Sequence, residues 1–261
     1  MKTINRLVKK INRLVRKYWT RGWARLSGAG PFGRLAAHLA TWFVRPYRGL
    51  YHLATLNPKG FFAPSARIAH DQMQLGKHVF IGDRVVLYRG RGGGPLQIGD
   101  DVHVNQDCIL ETAQGGSIAI GSGSRIQPRC QFSAYVSRIE IGRGVQIAPN
   151  CAFYPYDHEF DARKPIIHQG LKSRGGIVVE DDAWLGYNVI VLDGVRIGSG
   201  AIIGAGSVVK TDIPSGAIAV GMPARVVKHR DDSSSDLTSD SKPIIESGND
   251  RPDKPTPPSG N

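Results

Sequence analysis

The chain has 261 residues, 41% of them apolar, with 32 glycines, 3 cysteines and a formal net charge of +12. This supports a buried core in a chain that turns often; three cysteines make no pairing framework, and without a secretory apolar run a reducing cytoplasm is expected. No run approaches the ~18 apolar residues a membrane span needs.

The charge sits at one end. Residues 1–60 hold 13 Lys or Arg and no acid, the first acid being Asp71; residues 229–261 hold seven acids against four bases. A generally basic nucleic-acid binder would spread its cations, so no nucleic-acid partner is expected; the pattern describes a basic N-terminal device.

Residues 1–60 read as a basic, amphipathic helical extension. Ile4, Leu7, Val8, Ile11, Leu14, Val15 and Tyr18 recur at spacings of three and four, within a stripe roughly 120° wide. Lys2, Arg6, Lys9, Lys10, Arg13, Arg16 and Lys17 lie outside it. Residues 1–18 therefore suit the interface of an anionic membrane, with docking on the body or on a neighbouring subunit as the alternative. The Ser27–Gly28–Ala29–Gly30–Pro31 turn interrupts this helix, and a second apolar stretch runs from Leu35 to Val44, before Pro46.

Residues 61–228 are a repeat array. From Leu75 an aliphatic residue recurs every six positions, usually followed by Gly, with a small residue four places on. The units opening at Val179, Leu185, Val191, Ile197 and Ile203 are unbroken, and earlier ones open at Leu75, Ile81, Ile98, Val104, Ile120, Ile126, Ile141 and Ile147. A period of six fits short strands joined by turns around a common axis, in roughly seven coils. Cys108, Cys130 and Cys151 each fall four places after their aliphatic and read as stacked core residues. Arg89–Gly–Arg–Gly–Gly–Gly94 is a single short copy of a glycine–arginine pattern and reads as a loop. His70, His78 and His103 are scattered, so no metal site is expected. From about residue 229 to 261 the chain is rich in Ser, Asp and Pro and reads as a disordered tail.

The rhythm breaks for long once, between Phe153 and Ile177, and functional residues tend to sit on loops that a solenoid extrudes. Residues 154–170 of this loop carry two histidines, His158 and His168, among carboxylates and tyrosines.

Ile147–Ala–Pro–Asn150, the His158 loop, Trp184–Leu–Gly186, Ile203–Gly–Ala–Gly–Ser–Val–Val209, Asp212–Ile–Pro214 and Val220–Gly–Met–Pro–Ala–Arg225 together resemble the hexapeptide-repeat acyltransferases, in particular galactoside, maltose and colanic acid O-acetyltransferases. The resemblance covers about residues 68–228. It implies an all-β, left-handed parallel β-helix, a homotrimer, acetyl-CoA as acyl donor, and His158 as catalytic base. It also implies a coenzyme groove between subunits, with Trp184 walling its pantetheine end beside the acceptor. Gly186, Tyr187, Gly204 and Ala205 would line that groove, and Lys210, Arg225 and Lys228 would meet the nucleotide phosphates. An Asn that the galactoside-type enzymes use for the acceptor or oxyanion is missing from Ile126–Phe132, where Gln131 or Arg129 stands in its place. The family's His-Pro pair is His158–Glu159 here.

Acyl transfer from a thioester to a hydroxyl needs a base for the hydroxyl proton and donors for the developing oxyanion. Histidine suits the first task, and no Ser or Cys motif points to a covalent intermediate. The sequence thus reads as a cytoplasmic O-acyltransferase, peripheral at the inner face of a membrane, acting on a sugar hydroxyl of a glycan or glycolipid. N-acylation of an amino sugar is the nearest rival, and a non-catalytic trimeric scaffold recruited to membranes is the rival from another class.

Overall fold

A computed structural model describes residues 2–231. Three parallel sheets form the faces of a triangular β-solenoid, and each coil gives one short strand to each face. The first face runs from Phe61–Phe62 through Arg125–Ile126 and Trp184–Leu185 to Ala217–Val220. The second runs from Arg67–Ala69 to Val208–Val209, and the third from Met73–Leu75 to Arg196–Ile197, extended by a bridge to Ile213. About seven coils result, as the period of six predicts.

Register explains the repeat. On the first face Ile126 lies between Val104 and Ile147, so aliphatics of successive coils stack in one inward column. The small residues four places on line the same interior: Cys108, Cys130, Cys151, Ala183, Val189 and Ala201 are all buried. Burying each aliphatic contributes roughly 1.5–3 kcal/mol, and the column repeats it in every coil. Phe132 and Phe153 stack at 4.5 Å inside neighbouring coils. The three thiols each donate to a backbone carbonyl at 3.2 Å. Hydrogen bonding to Cys108 and burial push the Cys130 thiol up, and the bond to Cys130 with burial does the same to Cys151.

Coil length varies at one corner only. Val179 and Ile197 are 18 positions apart, three hexapeptides, whereas Leu75–Ile98, Ile98–Ile120 and Ile120–Ile141 span 23, 22 and 21, and Ile141–Val179 spans 38. Every surplus leaves between the second and third faces. The three short ones stack as a ledge through backbone bonds such as Gly90 N–H to Thr112 O, Gly94 N–H to Gly116 O and Val136 N–H to Ala113 O. The Arg89–Gly94 segment is the first tier of this ledge, as its loop reading anticipates. A Cβ on Gly93 would stand 2.4 Å from the Thr112 carbonyl oxygen, so the tiers stack only with glycine there.

Both ends of the solenoid are covered, which protects their open edges. At the start, helix α1 (Lys2–Ala24), α2 (Pro31–Thr41) and the five-residue α3 (Tyr51–Thr55) pack Ala24, Ala37, Ala40, Leu53 and Ala54 against Phe61, Ala63 and Phe80 of the first coils. Pro31 opens α2, where a missing N–H costs nothing. Asn57 Nδ2 donates to the Ser27 carbonyl (2.8 Å), fastening the turn between α1 and α2. At the other end, Arg225–His229 folds back antiparallel on Ala217–Val220, and the Arg230 N–H donates to Gly216 O at 2.8 Å. His229 and Arg230 thus join the folded body; the rest of the tail read from composition, residues 232–261, lies outside the described residues.

Candidate functional site

The longest insertion leaves the solenoid after Tyr154 as an arm. Asp157–His158 runs antiparallel to Leu171–Lys172, with His158 opposite Leu171, and the Glu159 N–H donates to Gly170 O at 2.9 Å. Beyond the ribbon, Arg163 grips Asp161 in a bidentate pair, which holds that carboxyl below its usual range. Gln169 closes the tip by accepting the Asp161 N–H (2.6 Å) and donating to Lys164 O (2.8 Å). Lys172 Nζ lies 3.7 Å above the Phe160 ring. His158 therefore sits at the hinge of a two-stranded arm, exposed, on a backbone fixed from both sides. Asp157 and Glu159 flank it in an extended stretch, and alternation directs their side chains away from the His158 face. His168 lies in a short 3₁₀ turn at the far tip, apart from His158.

The arm is rooted twice. Its returning limb is held by Asp193, which is buried: Oδ1 accepts from Ser173 Oγ (2.8 Å) and the Gly176 N–H (3.2 Å), and Oδ2 from the Arg174 N–H. Its outgoing limb is held by aromatics: Tyr156 packs on Tyr135 (5.5 Å) and on Tyr154 (6.2 Å). Beside them on the second face Glu111 Oε1 accepts from Ser133 Oγ at 2.6 Å. Register puts Tyr88, Glu111 and Ser133 on one outward row, and Tyr154 on a row with Leu192. Burial, then the neighbouring Glu111 charge, raises the Tyr135 pKa above the ordinary phenol value. Burial and Tyr156, with Glu111, do the same for Tyr154. Glu111, Ser133, Tyr135, Tyr154 and Tyr156 make a polar wall at the base of the arm. The sequence alone does not gather this wall, because Glu111, Ser133 and Tyr135 sit two and one coils before the arm and only the register brings them beside its tyrosines.

Gln131 lies on the outer side of the same face, in register between Ile109 and Ala152. Arg129 Nε donates to Asn150 Oδ1 at 2.8 Å, so its guanidinium serves the turn at Asn150.

The residues expected to hold a coenzyme fall on the first face and its corner. Trp184 is 52% exposed and stands in register with Gln146 and Ile202; Ile202 pairs with Ile218, and Ile218 with Lys228. Trp184 and Lys228 thus lie on one outward row, three strand spacings or about 14 Å apart. Arg225 lies at the edge of this row, opposite Val220. Gly186, Tyr187, Gly204 and Ala205 form the adjoining corner. A Cβ on Gly186 would approach Ala205 N to 2.7 Å, so this glycine lets the two turns nest. Tyr187 is exposed and its hydroxyl accepts from Asn150 Nδ2. Lys210 is exposed just past the last second-face strand. Within one chain the arm and the Trp184 row belong to different parts of the prism: the arm leaves the corner between the second and third faces, and the row occupies the first.

Comparison with known proteins bears on this architecture. Residues 176–211 match the family model described as bacterial transferase hexapeptide (six repeats). These 36 residues carry the bacterial transferase hexapeptide repeat. A 56-residue stretch is 46% identical to 2,3,4,5-tetrahydropyridine-2,6-dicarboxylate N-acetyltransferase of Staphylococcus aureus (strain JH9), covering 22% of this chain and 23% of that protein. The chain therefore matches under a quarter of the length of this curated relative. Among solved structures, AntD, an N-acyltransferase from Bacillus cereus in complex with dTDP and 3-hydroxybutyryl-CoA, is 23% identical, covering 65% of this chain and 86% of that one with a TM-score of 0.48. The polySia-specific acetyltransferase NeuO is 21% identical, covering 65% and 82% with a TM-score of 0.48. The matched residues include Trp184, Gly186, Tyr187, Gly204 and Ala205, whereas His158 and its arm precede them. Among the described residues no group of three His, Cys, Asp or Glu converges as a metal site would require.

Proposed function

We propose that the protein is an acetyl-CoA-dependent O-acyltransferase acting on a sugar hydroxyl of a glycan or lipid-linked saccharide. The observation that carries this is the placing of His158, exposed at the hinge of a doubly rooted arm, in a hexapeptide solenoid that also presents the Trp184–Lys228 row. The acyltransferase class is supported by the hexapeptide match and by the name of the Staphylococcus relative.

In this reading His158 takes the proton of the acceptor hydroxyl as its oxygen attacks the thioester carbonyl carbon. The C–S bond breaks as the ester forms, and the imidazolium returns its proton to the leaving thiolate. The polar wall at Glu111, with Gln131 on the same face, binds the acceptor, and the buried Ser133 hydroxyl positions the Glu111 carboxylate. Trp184 covers the pantetheine end of the donor and Lys228 and Arg225 meet its phosphates, which suits isolated cations on an open surface. Arm and row lie apart in one chain, so a complete site needs the arm of one protomer beside the row of its neighbour. This supports an oligomer with shared grooves, three being the number that the resemblance to the hexapeptide acyltransferases implies. A peripheral position at a membrane belongs to the same proposal, supported by the basic helix α1; among the described residues no helix is long and apolar enough to cross a membrane.

The test is thiol release from acetyl-CoA with and without candidate sugars. Release that depends on a sugar hydroxyl is expected, and its absence for every acceptor would leave a non-catalytic scaffold. The N-acetyltransferase name of the relative favours N-acylation as the second reading. Amino sugars outpacing their hydroxyl counterparts, with an amide as product, would select it.

A further inference from the structure

Among the described residues, 12 of the 23 exposed large apolar side chains lie between Val8 and Tyr47. Only the last turns of α1 dock: Thr20 and Ala24 are buried, while Val8, Ile11, Leu14, Val15 and Tyr18 are 43–68% exposed. From Val8 to Tyr18 the stripe predicted from periodicity is thus unpartnered among the described residues. It does not end at α1. Val15 and Trp19 are neighbours one turn apart, Trp19 meets Phe43 edge-on at 6.3 Å, and Trp42 beside it is 67% exposed. Trp19 Nε1 donates to Leu39 O at 2.8 Å, which locks the two helices into one surface. The Arg16 guanidinium lies 5.4 Å over the Phe43 ring, at the rim.

We propose that the α1 stripe and the Trp19–Trp42–Phe43 corner form one membrane-docking surface that seats the helical cap on an anionic bilayer. This deepens the membrane position proposed for α1 and rests on it. Charge identifies the occupant. Residues 1–60 carry 13 cations and no acid, and among the described residues Arg6, Lys9, Lys10, Arg13, Arg16, Lys17 and Arg21 form no ion pair. A second copy of the cap would bring another 13 cations against these, so self-association is opposed. An anionic lipid surface attracts each nearby Lys or Arg by about 1 kcal/mol. Tryptophan at the edge of an apolar surface suits the headgroup boundary, with its ring in the apolar layer and its N–H satisfied, as Trp19 already is.

Flotation of the full chain tests this, with vesicles of phosphatidylcholine alone and of phosphatidylcholine mixed with phosphatidylglycerol. Binding to the mixed vesicles only is expected. W42S/F43S should stay folded, its melting temperature lowered by no more than a few degrees by loss of the Trp19–Phe43 contact, and lose at least about tenfold in vesicle affinity, while W42F alone keeps most of it. If W42S/F43S binds the mixed vesicles as well as wild type, the corner is no part of the surface and α1 acts alone. If the wild type stays in solution with both vesicles, the membrane position falls as well. If W42S/F43S instead lowers the oligomer mass in light scattering, the surface is a subunit interface and the proposal is overturned.

Discussion

Ser173 Oγ donates to Asp193 Oδ1 at 2.8 Å, joining the returning limb of the arm to the coil that follows it. Asp193 is buried, and it also takes the Arg174 and Gly176 N–H groups, so one carboxylate fixes where the arm re-enters the solenoid. Asp193→Ala leaves three donors without their acceptor. It should cost about 1.5–3 kcal/mol, in the range of hydrogen bonds to a charged group, and read as a lower melting temperature. Because misplacement of about 1 Å can cost 10²-fold in rate, turnover should fall further than stability alone explains, with acetyl-CoA binding unchanged. Wild-type turnover in a destabilised variant would detach the arm from the chemistry.

The proposed base makes a sharper demand. His158→Ala should lower turnover by about 10² to 10⁴-fold without altering the melting temperature, since the ring is exposed and among the described residues no hydrogen bond to it is seen. His168→Ala, at the arm tip, should change turnover by no more than a few-fold. Equal effects of the two substitutions would mean that arm structure, and not proton transfer, is what is lost.

The outward row on the first face separates donor from acceptor effects. Trp184→Ala and Lys228→Ala should each raise the KM for acetyl-CoA by about tenfold and leave the KM for the acceptor nearly unchanged, because both lie on the same register row. Ser133→Ala should do the reverse. A rise in acceptor KM with Trp184→Ala would place the acceptor on this face instead.

Assembly follows from the same separation. If the arm of one protomer completes the row of its neighbour, mixing a His158→Ala protein with a Trp184→Ala protein and allowing subunits to exchange should restore part of the activity. Light scattering should report three protomers. A fully active monomer would refute the shared site.

Val179, Leu185, Val191, Ile197 and Ile203 announce their coils because an inward column tolerates only aliphatics and a turn only small residues, so chemistry and period coincide. His158 was legible because an insertion interrupts that period. The wall of Glu111, Ser133, Tyr135, Tyr154 and Tyr156 was not: outward positions accept almost any residue, and three coils must stack before the set exists. The five-residue α3 escaped for another reason. Tyr51–Thr55 is too short for helical periodicity and is held by packing of Leu53 and Ala54 on the first coils. That only the last turns of α1 dock likewise depends on where α2 lies, which periodicity does not report.

A pH dependence of stability follows from the seam between α3 and the solenoid. The His103 ring packs between Tyr51 (4.7 Å) and Phe80 (5.5 Å), and its buried Nδ1 has no hydrogen-bond partner. Burial, helped by the Arg125 charge, lowers its pKa from 6.5 to about 4. Burial and Arg89 lower that of His70 as well, whose Nε2 lies 3.0 Å from Thr112 Oγ1. Both rings are therefore neutral in the native state at pH values where the unfolded chain already binds protons. Stability is then independent of these groups above about pH 6.5 and is lost as pH falls from there toward 4, since the unfolded state takes up the protons first. The slope cannot exceed about 1.4 kcal/mol per pH unit for each ring, and partial exposure of His103 reduces it. Thermal melts of the full chain at pH 7.5, 6 and 5 should show a melting temperature that falls modestly across the upper interval and more steeply across the lower one. His103→Phe keeps the aromatic contact with Tyr51 and Phe80 but cannot titrate, so it should flatten that fall while leaving the value at pH 7.5 close to wild type. An unchanged slope in His103→Phe would assign the acid sensitivity to His70.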